Sequence, residues 1–305
     1  MEFLKLLESI RSPFLNEVFS LITHFGEEIL FIAVAIVFFW CIDKKKGLYL
    51  LFIGFIGTIV NQFLKILCRV PRPWVQDESF TIVESARAEA TGYSFPSGHT
   101  QMAVGLYGGI ARQEKTLWIR IVCIALCVLV PFSRLYLGVH TPLDVGVSVV
   151  IALLLVFGFF PLMNKIFDNE KSLRIFLLGC AVLSLAFYLF TMLNQFPQDV
   201  DTDNLAHAIE NAAKMFGCVL GAWLGFEIER KYVKFDTKAV WWVQIIKVVV
   251  GLIPVLLIKS LLKSPLISLF GDPSVADMVR YFIITAFACC VWPMTFKFWN
   301  KLSKR

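Results

Sequence analysis

At 305 residues, with 58% hydrophobic residues, only 17% charged and a mean hydropathy of +0.72, the chain is too apolar to be a soluble globular protein. The formal net charge of +6 arises from cations that sort into alternate loops, a topological pattern that calls for no nucleic-acid partner. The expected fold class is all-α: a polytopic helical membrane protein of about nine transmembrane helices, set in a lipid bilayer.

In chain order, Lys5, Glu8 and Arg11 interrupt the first dozen residues and no small-residue cleavage site follows, so the start is not a cleavable signal peptide. Phe3 to Phe19 reads as an amphipathic interfacial helix within an N-terminal segment of residues 1–24. Apolar runs of roughly 17 to 25 residues, the length that crosses a bilayer, then fall at 28–42, 47–67, 97–113, 117–136, 142–163, 175–194, 207–226, 239–262 and 277–299. The first of these is the shortest.

Cytoplasmic loops collect Lys and Arg. The basic connections are Lys44-Lys45-Lys46; Arg112, Lys115 and Arg120; Lys165, Lys171 and Arg174; Arg230, Lys231, Lys234 and Lys238; and the tail with Lys297, Lys301, Lys304 and Arg305. The connection 195–206 carries Asp199, Asp201 and Asp203 with no Lys or Arg, and 264–276 is also free of them. This alternation puts the N-terminus outside and the C-terminus in the cytoplasm, with His24, His99, His140 and His207 all on the outer side. The expected location is a bacterial plasma membrane, although the alternation itself fixes only a membrane with an outward or lumenal site. Cys41, Cys68, Cys123, Cys127, Cys180, Cys218, Cys289 and Cys290 lie mostly inside the apolar runs without metal-ligand spacing, so no disulfide, metal or cofactor is expected.

Three polar islands punctuate this apolar sequence. The first ends the second run, where Lys65 is followed by Arg69 and Arg72, with Pro71 and Pro73 terminating the helix. Lys supplies a point charge and Arg a planar fork for phosphate, although a lone island of this kind also fits cations that snorkel to the interface. The second, Pro96-Ser97-Gly98-His99, opens the third run: Ser97 is a favoured N-cap, Gly98 admits a ligand close to the backbone, and the helix start faces an anion. Alone it is equally a helix start with a wet histidine. In the third, Thr141-Pro142-Leu143-Asp144 reads as N-cap, first-turn proline and N3 acid, with His140 just before it and Ser133-Arg134 upstream. Asp144 is either a capping acid only or the partner of one His140 ring nitrogen.

Taken together, Lys65-x6-Arg72-Pro73, Pro96-Ser97-Gly98-His99 and Ser133-Arg134-x5-His140-x3-Asp144 closely resemble the signature of the type 2 phosphatidic acid phosphatase superfamily. The resemblance implies a phosphatase core over residues 25–168, with additional C-terminal transmembrane helices over 169–305. It implies metal-independent hydrolysis of a lipid phosphate monoester or diphosphate through a phosphohistidine: His140 as nucleophile, Asp144 orienting it, and His99 moving protons. Lys65, Arg72 and Arg134 would hold the phosphoryl group with the backbone at Ser97 and Gly98.

A sugar-phosphate phosphatase, a lipid phosphotransferase and a non-enzymatic lipid-phosphate transporter are the alternative readings of the same residues. No feature of the sequence sets an oligomeric state. Beyond residue 170, His207, Glu210 and Lys214 read as solvated interfacial groups or as neighbours of the substrate, Lys247 as a functional intramembrane cation, and Asn61 and Gln62 as interhelical hydrogen bonders. The connection 74–95, with Asp77, Glu78, Glu84 and Glu89, reads as a solvated loop.

Overall fold

A computed structural model describes residues 1–197 and 200–302; Asp199 of the acidic connection and Lys304 and Arg305 of the basic tail lie outside the described residues. Every regular element among the described residues is helical, and the apolar runs read from the sequence fall on helical segments, with 28–42, 142–163 and 277–299 each crossing more than one. Six helical segments are long and apolar enough to cross a bilayer, and a seventh arises if the pair Pro13–Gly26 and Glu28–Ile42, bent by 50°, counts as one broken span. Runs 97–113 and 207–226 fall outside that count, the first because its helix has only 16 residues and the second because polar groups dilute it.

The chain divides into two compact units. The first comprises Met1–Val34, Tyr49–Leu162 and Val200–Leu205. It holds α1 (Glu2–Ser9), α2 (Pro13–Thr23), most of α3 (Glu28–Val37) and α4 (Lys44–Cys68), and then α5 (Pro73–Gln76), α6 (Gly98–Gln113), α7 (Leu117–Tyr136) and α8 (Pro142–Phe159). The expected single helix over Phe3 to Phe19 is two. Ser12 caps α2 by accepting from Leu15 N, and Pro13 at the first helical position has no N–H to continue α1. Nor do these helices only lie on the surface: Leu4 is fully buried against Phe80 and Ile82, and Arg11 donates to the carbonyls of Tyr136 and Thr81.

At the centre of this unit, α6 packs on α7 and α8 and buries Ala103, Val104, Leu106, Tyr107 and Ile110. Its small residues set the spacing. A Cβ at Gly109 would come within 2.7 Å of Leu50 Cδ2 on α4, so a larger residue there would have to push the Leu50 side chain aside. The result places the start of α6 beside the end of α4.

The second unit comprises Ala35–Leu48, Met163–Asp199 and Ala206–Arg305. It contains α9 (Met163–Phe167), α10 (Glu170–Leu193), most of α11 (Thr202–Ile228), α12 (Trp241–Leu261), α13 (Lys263–Phe270), α14 (Pro273–Ala286), α15 (Trp292–Met294) and α16 (Phe296–Leu302). Three π-helical stretches, Phe38–Ile42, Glu229–Val233 and Phe287–Val291, interrupt it. The connection after α12 is helical as α13, which packs on α14. Lys214 is drawn into an ionic cluster rather than left to solvent, with Nζ 3.4 Å from Glu210 Oε2 and 3.5 Å from the fully buried Asp277. Lys247 is fully buried, its Nζ 4.6 Å from the Phe296 ring centre and 3.4 Å from the Asp236 carbonyl.

Candidate active site

The first unit gathers the three polar islands around one cavity of about 170 Å3, walled by Lys65, Gly98, His99, Arg134 and His140. His140 follows the end of α7 and is almost fully buried. Its Nδ1 lies 3.5 Å from Asp144 Oδ2, and Arg72 Nη1 lies 3.0 Å from its Nε2 and 3.5 Å from its Nδ1, the nearer nitrogen being Nε2. Because a guanidinium only donates, Nε2 carries the lone pair in this arrangement and Nδ1 carries the proton, facing the carboxylate. Burial, reinforced by the Arg72, Arg134 and Lys65 cations, drives the His140 pKa well below the usual imidazole value, so the ring stays neutral.

Asp144 is fixed by the start of α8. Thr141 Oγ1 accepts from Asp144 N at 3.3 Å while Asp144 Oδ2 accepts from Thr141 N at 2.7 Å, the capping box expected from the sequence. The same oxygen accepts from Ser94 Oγ at 2.6 Å, and Oδ1 is buried with no hydrogen-bond partner among the described residues. Ser97 N donates to the Asp144 carbonyl at 3.2 Å, tying the α6 and α8 starts together. Ser97 caps α6 by accepting from Thr100 N. A Cβ at Gly98 would meet no atom within 4 Å, so the ground before the first turn of α6 is open.

The cations are not equivalent. Lys65 donates to the Tyr93 carbonyl, and Arg134 donates to Thr23 Oγ1 at 2.6 Å while its Nε has no partner among the described residues. Both line the cavity. Arg72 sits one layer back, with Nε on Gly92 O at 3.0 Å, Nη2 on Thr91 O at 2.7 Å, and Nη1 on Val139 O at 2.9 Å as well as on His140. Of the grip expected from three cations, two stand at the wall and the third braces the histidine and the preceding loop.

That loop is the main correction to the sequence reading. The end of connection 74–95 is no solvated excursion: it supplies carbonyls from Thr91, Gly92 and Tyr93, the Ser94 hydroxyl and the Glu89 carboxylate. Glu89 Oε2 lies 3.3 Å from His99 Nε2, and this hydrogen bond holds the Glu89 pKa below the usual carboxylate range. Gly26 presses on the backbone of the same histidine, where a Cβ would come 2.8 Å from the His99 carbonyl.

The cavity is also lined by Thr58, Asn61 and Gln62 of α4 and Gln101 of α6. Neither side-chain atom of Asn61 or Gln101 has a hydrogen-bond partner among the described residues, so the interhelical bond expected of Asn61 is absent. No sequence spacing singles out Ser94 or Gln101; both are recruited by contacts between segments distant in the chain. His24, Glu27 and Glu89 bring possible ligand atoms within 4.8 Å of one another, and His24 and Glu27 already satisfy each other by a hydrogen bond.

Comparison with known proteins places the chain in a family. The PAP2 superfamily profile matches residues 46–168, and the transmembrane extension of PAP2 superfamily phosphatases matches residues 213–305. Phosphatidylglycerophosphatase B of Bacillus subtilis (strain 168) is 31% identical over 163 residues, 48% of this chain and 75% of that protein. The chain belongs to the PAP2 superfamily. Among other PAP2-like relatives, undecaprenyl-diphosphatase BcrC of the same organism is 33% identical over 119 residues, 39% of this chain and 58% of that protein. A probable sphingosine-1-phosphate phosphatase of Dictyostelium discoideum is 28% identical over 200 residues, 61% of this chain and 45% of that protein. The chain thus spans about half the length of these last two. No solved structure matches it. All the residues of the three polar islands fall within the 46–168 PAP2 match.

Proposed function

We propose that the chain is an integral membrane phosphohydrolase that cleaves a lipid phosphate monoester or diphosphate through a phosphohistidine at His140, with its pocket on the outer face of a bacterial plasma membrane. The observation that carries this reading is the buried His140 ring, its Nδ1 toward Asp144 and its Nε2 toward the Arg72 guanidinium. A neutral imidazole with an oriented lone pair beside fixed positive charge is an activated nucleophile for an anionic phosphoryl group.

In the first step His140 Nε2 attacks phosphorus, a P–N bond forms and the ester P–O bond breaks. His99 gives its proton to the departing oxygen. In the second step His99 takes a proton from water, the resulting hydroxide attacks phosphorus, and the P–N bond breaks to return neutral His140 and release phosphate. Lys65 and Arg134 hold the phosphoryl oxygens with the free amides of the α6 start, which supports charge developing in the transition state without a divalent ion. Arg72 gives its shared Nη1 to phosphate as it arrives, freeing Nε2. Glu89 orients His99. Relatives named for undecaprenyl diphosphate, phosphatidylglycerophosphate and sphingosine-1-phosphate support lipid phosphate as the substrate class.

The test is phosphate release from a panel of these lipid phosphates and from sugar phosphates in detergent, with and without EDTA. Turnover on lipid phosphates should persist in EDTA, and His140→Ala should lose activity by on the order of 10^4-fold or more, as when a covalent nucleophile is removed. Strict dependence on magnesium, or an active His140→Ala protein, overturns the mechanism. Turnover confined to sugar phosphates overturns the substrate class.

A further inference from the structure

A second cavity, of about 280 Å3, lies wholly within the second unit, between the start of α10 and the end of α11. We propose that it binds the phosphate headgroup of an anionic phospholipid. Its cations are Arg174, Arg230, Lys231 and Lys234, against two carboxylates, Glu170 and Glu227. Arg174 is committed, forming a two-point pair with Glu227 at 2.7 and 2.8 Å.

Arg230 is committed on one edge only: its Nε forms a loose ion pair with Glu170 at 3.8 Å, and its Nη1 is buried with no hydrogen-bond partner among the described residues. A buried guanidinium N–H without an acceptor is a vacancy for one. Lys231 and Lys234 have no carboxylate partner among the described residues; Lys231 meets only the Tyr232 ring, at 5.1 Å. Two cations in excess, together with an open donor on a planar fork, suit a phosphodiester.

The other wall decides between a lipid and a free anion. Leu173 and Leu177, one turn apart on α10, and Phe226 on α11 form it, running from the helix end toward hydrocarbon depth. Ile175, Leu178 and Leu224 are exposed on the same two helices, as membrane-facing side chains are. Tyr232 and Trp241 are exposed near the same boundary, where amphipathic rings sit at headgroup level. A soluble anion would use only the charged rim, whereas a phospholipid uses both rim and wall. The loop charges put this rim on the cytoplasmic side, where anionic lipids attract basic clusters. The proposal stands independently of the catalytic reading.

The test uses the full chain in neutral detergent micelles doped with phosphatidylglycerol, with phosphatidylcholine, or with inorganic phosphate alone. Phosphatidylglycerol should raise the thermal midpoint, and photoreactive phosphatidylglycerol should crosslink to residues 226–234. The combined variant Arg230→Gln, Lys231→Gln, Lys234→Gln should bind it roughly a hundredfold more weakly, given the contribution of each basic residue, while phosphate release in undoped micelles is unchanged. The charge-keeping pair Lys231→Arg, Lys234→Arg should retain binding. An equal response to phosphatidylcholine, a full response to inorganic phosphate, crosslinks confined to the first unit, or undiminished binding by the triple variant each overturns the proposal. Should the triple variant fail to fold, the wild-type lipid comparison and the crosslink positions decide.

Discussion

The Asp144 carboxylate closes the α8 capping box, accepts from Ser94 Oγ and faces His140 Nδ1. Asp144→Asn keeps an acceptor for Thr141 N but removes the charge that fixes the imidazole, so kcat should fall by about 10^4-fold while the protein remains folded, as when the acid that orients a catalytic histidine is neutralised. Ser94→Ala removes one charge-assisted hydrogen bond and should cost about 1.5 to 3 kcal/mol, read as a lowered denaturation midpoint, with a smaller loss of kcat. The His140 pKa carries a pH prediction. Burial and the neighbouring cations lower it well below 6.5, so kcat/KM of the wild type should show no acid limb near that value. Arg134→Gln withdraws one of those cations. Losing positive charge raises the His140 pKa, more of the ring is protonated at a given acid pH, and an acid limb should move upward in the rate profile. An unchanged profile in the variant would show that Arg134 does not reach His140.

The parts of the site that lie on helix starts were legible in the sequence, because capping is local. Thr141-Pro142-Leu143-Asp144 forms the box its spacing predicts, and Ser97 caps α6. Thr141→Ala should accordingly cost about 0.5 to 2 kcal/mol, the usual range for losing an N-cap side chain. It should also slow turnover, because α8 carries Asp144. The same local rules, applied to Ser12-Pro13, would have divided the N-terminal helix. What was not legible depends on chain closure over long separations: Arg72 with Thr91 and Gly92, Ser94 with Asp144, Glu89 with His99. None of these has a period or a motif, and an acidic, loop-like composition concealed them. Gly26 belongs to this class, since only its neighbours reveal its role. Gly26→Ala must displace the His99 backbone or Val130, so kcat should drop with little loss of secondary structure, as measured by circular dichroism alongside phosphate release.

Across the whole molecule, loop charge and the position of the site make one linked claim about orientation. The basic connections, from Lys44-Lys45-Lys46 to the cluster Arg230, Lys231, Lys234 and Lys238, alternate with the polar islands along the chain. The outward-facing pocket proposed above rests on the positive-inside bias of these connections. Cys68 tests this with a native side chain, because it is exposed and sits between Lys65 and Arg72, whereas Cys123, Cys180, Cys289 and Cys290 are buried. In a variant that keeps Cys68 as its single cysteine, a membrane-impermeant maleimide should label intact cells, and a C-terminal tag should resist external protease until the membrane is opened. Labelling of Cys68 only after permeabilisation, with the tag cleaved in intact cells, would reverse the molecule. The substrate would then have to be drawn from the inner leaflet, and the cavity at Arg230 would face outward, away from the leaflet whose surface charge best fits it.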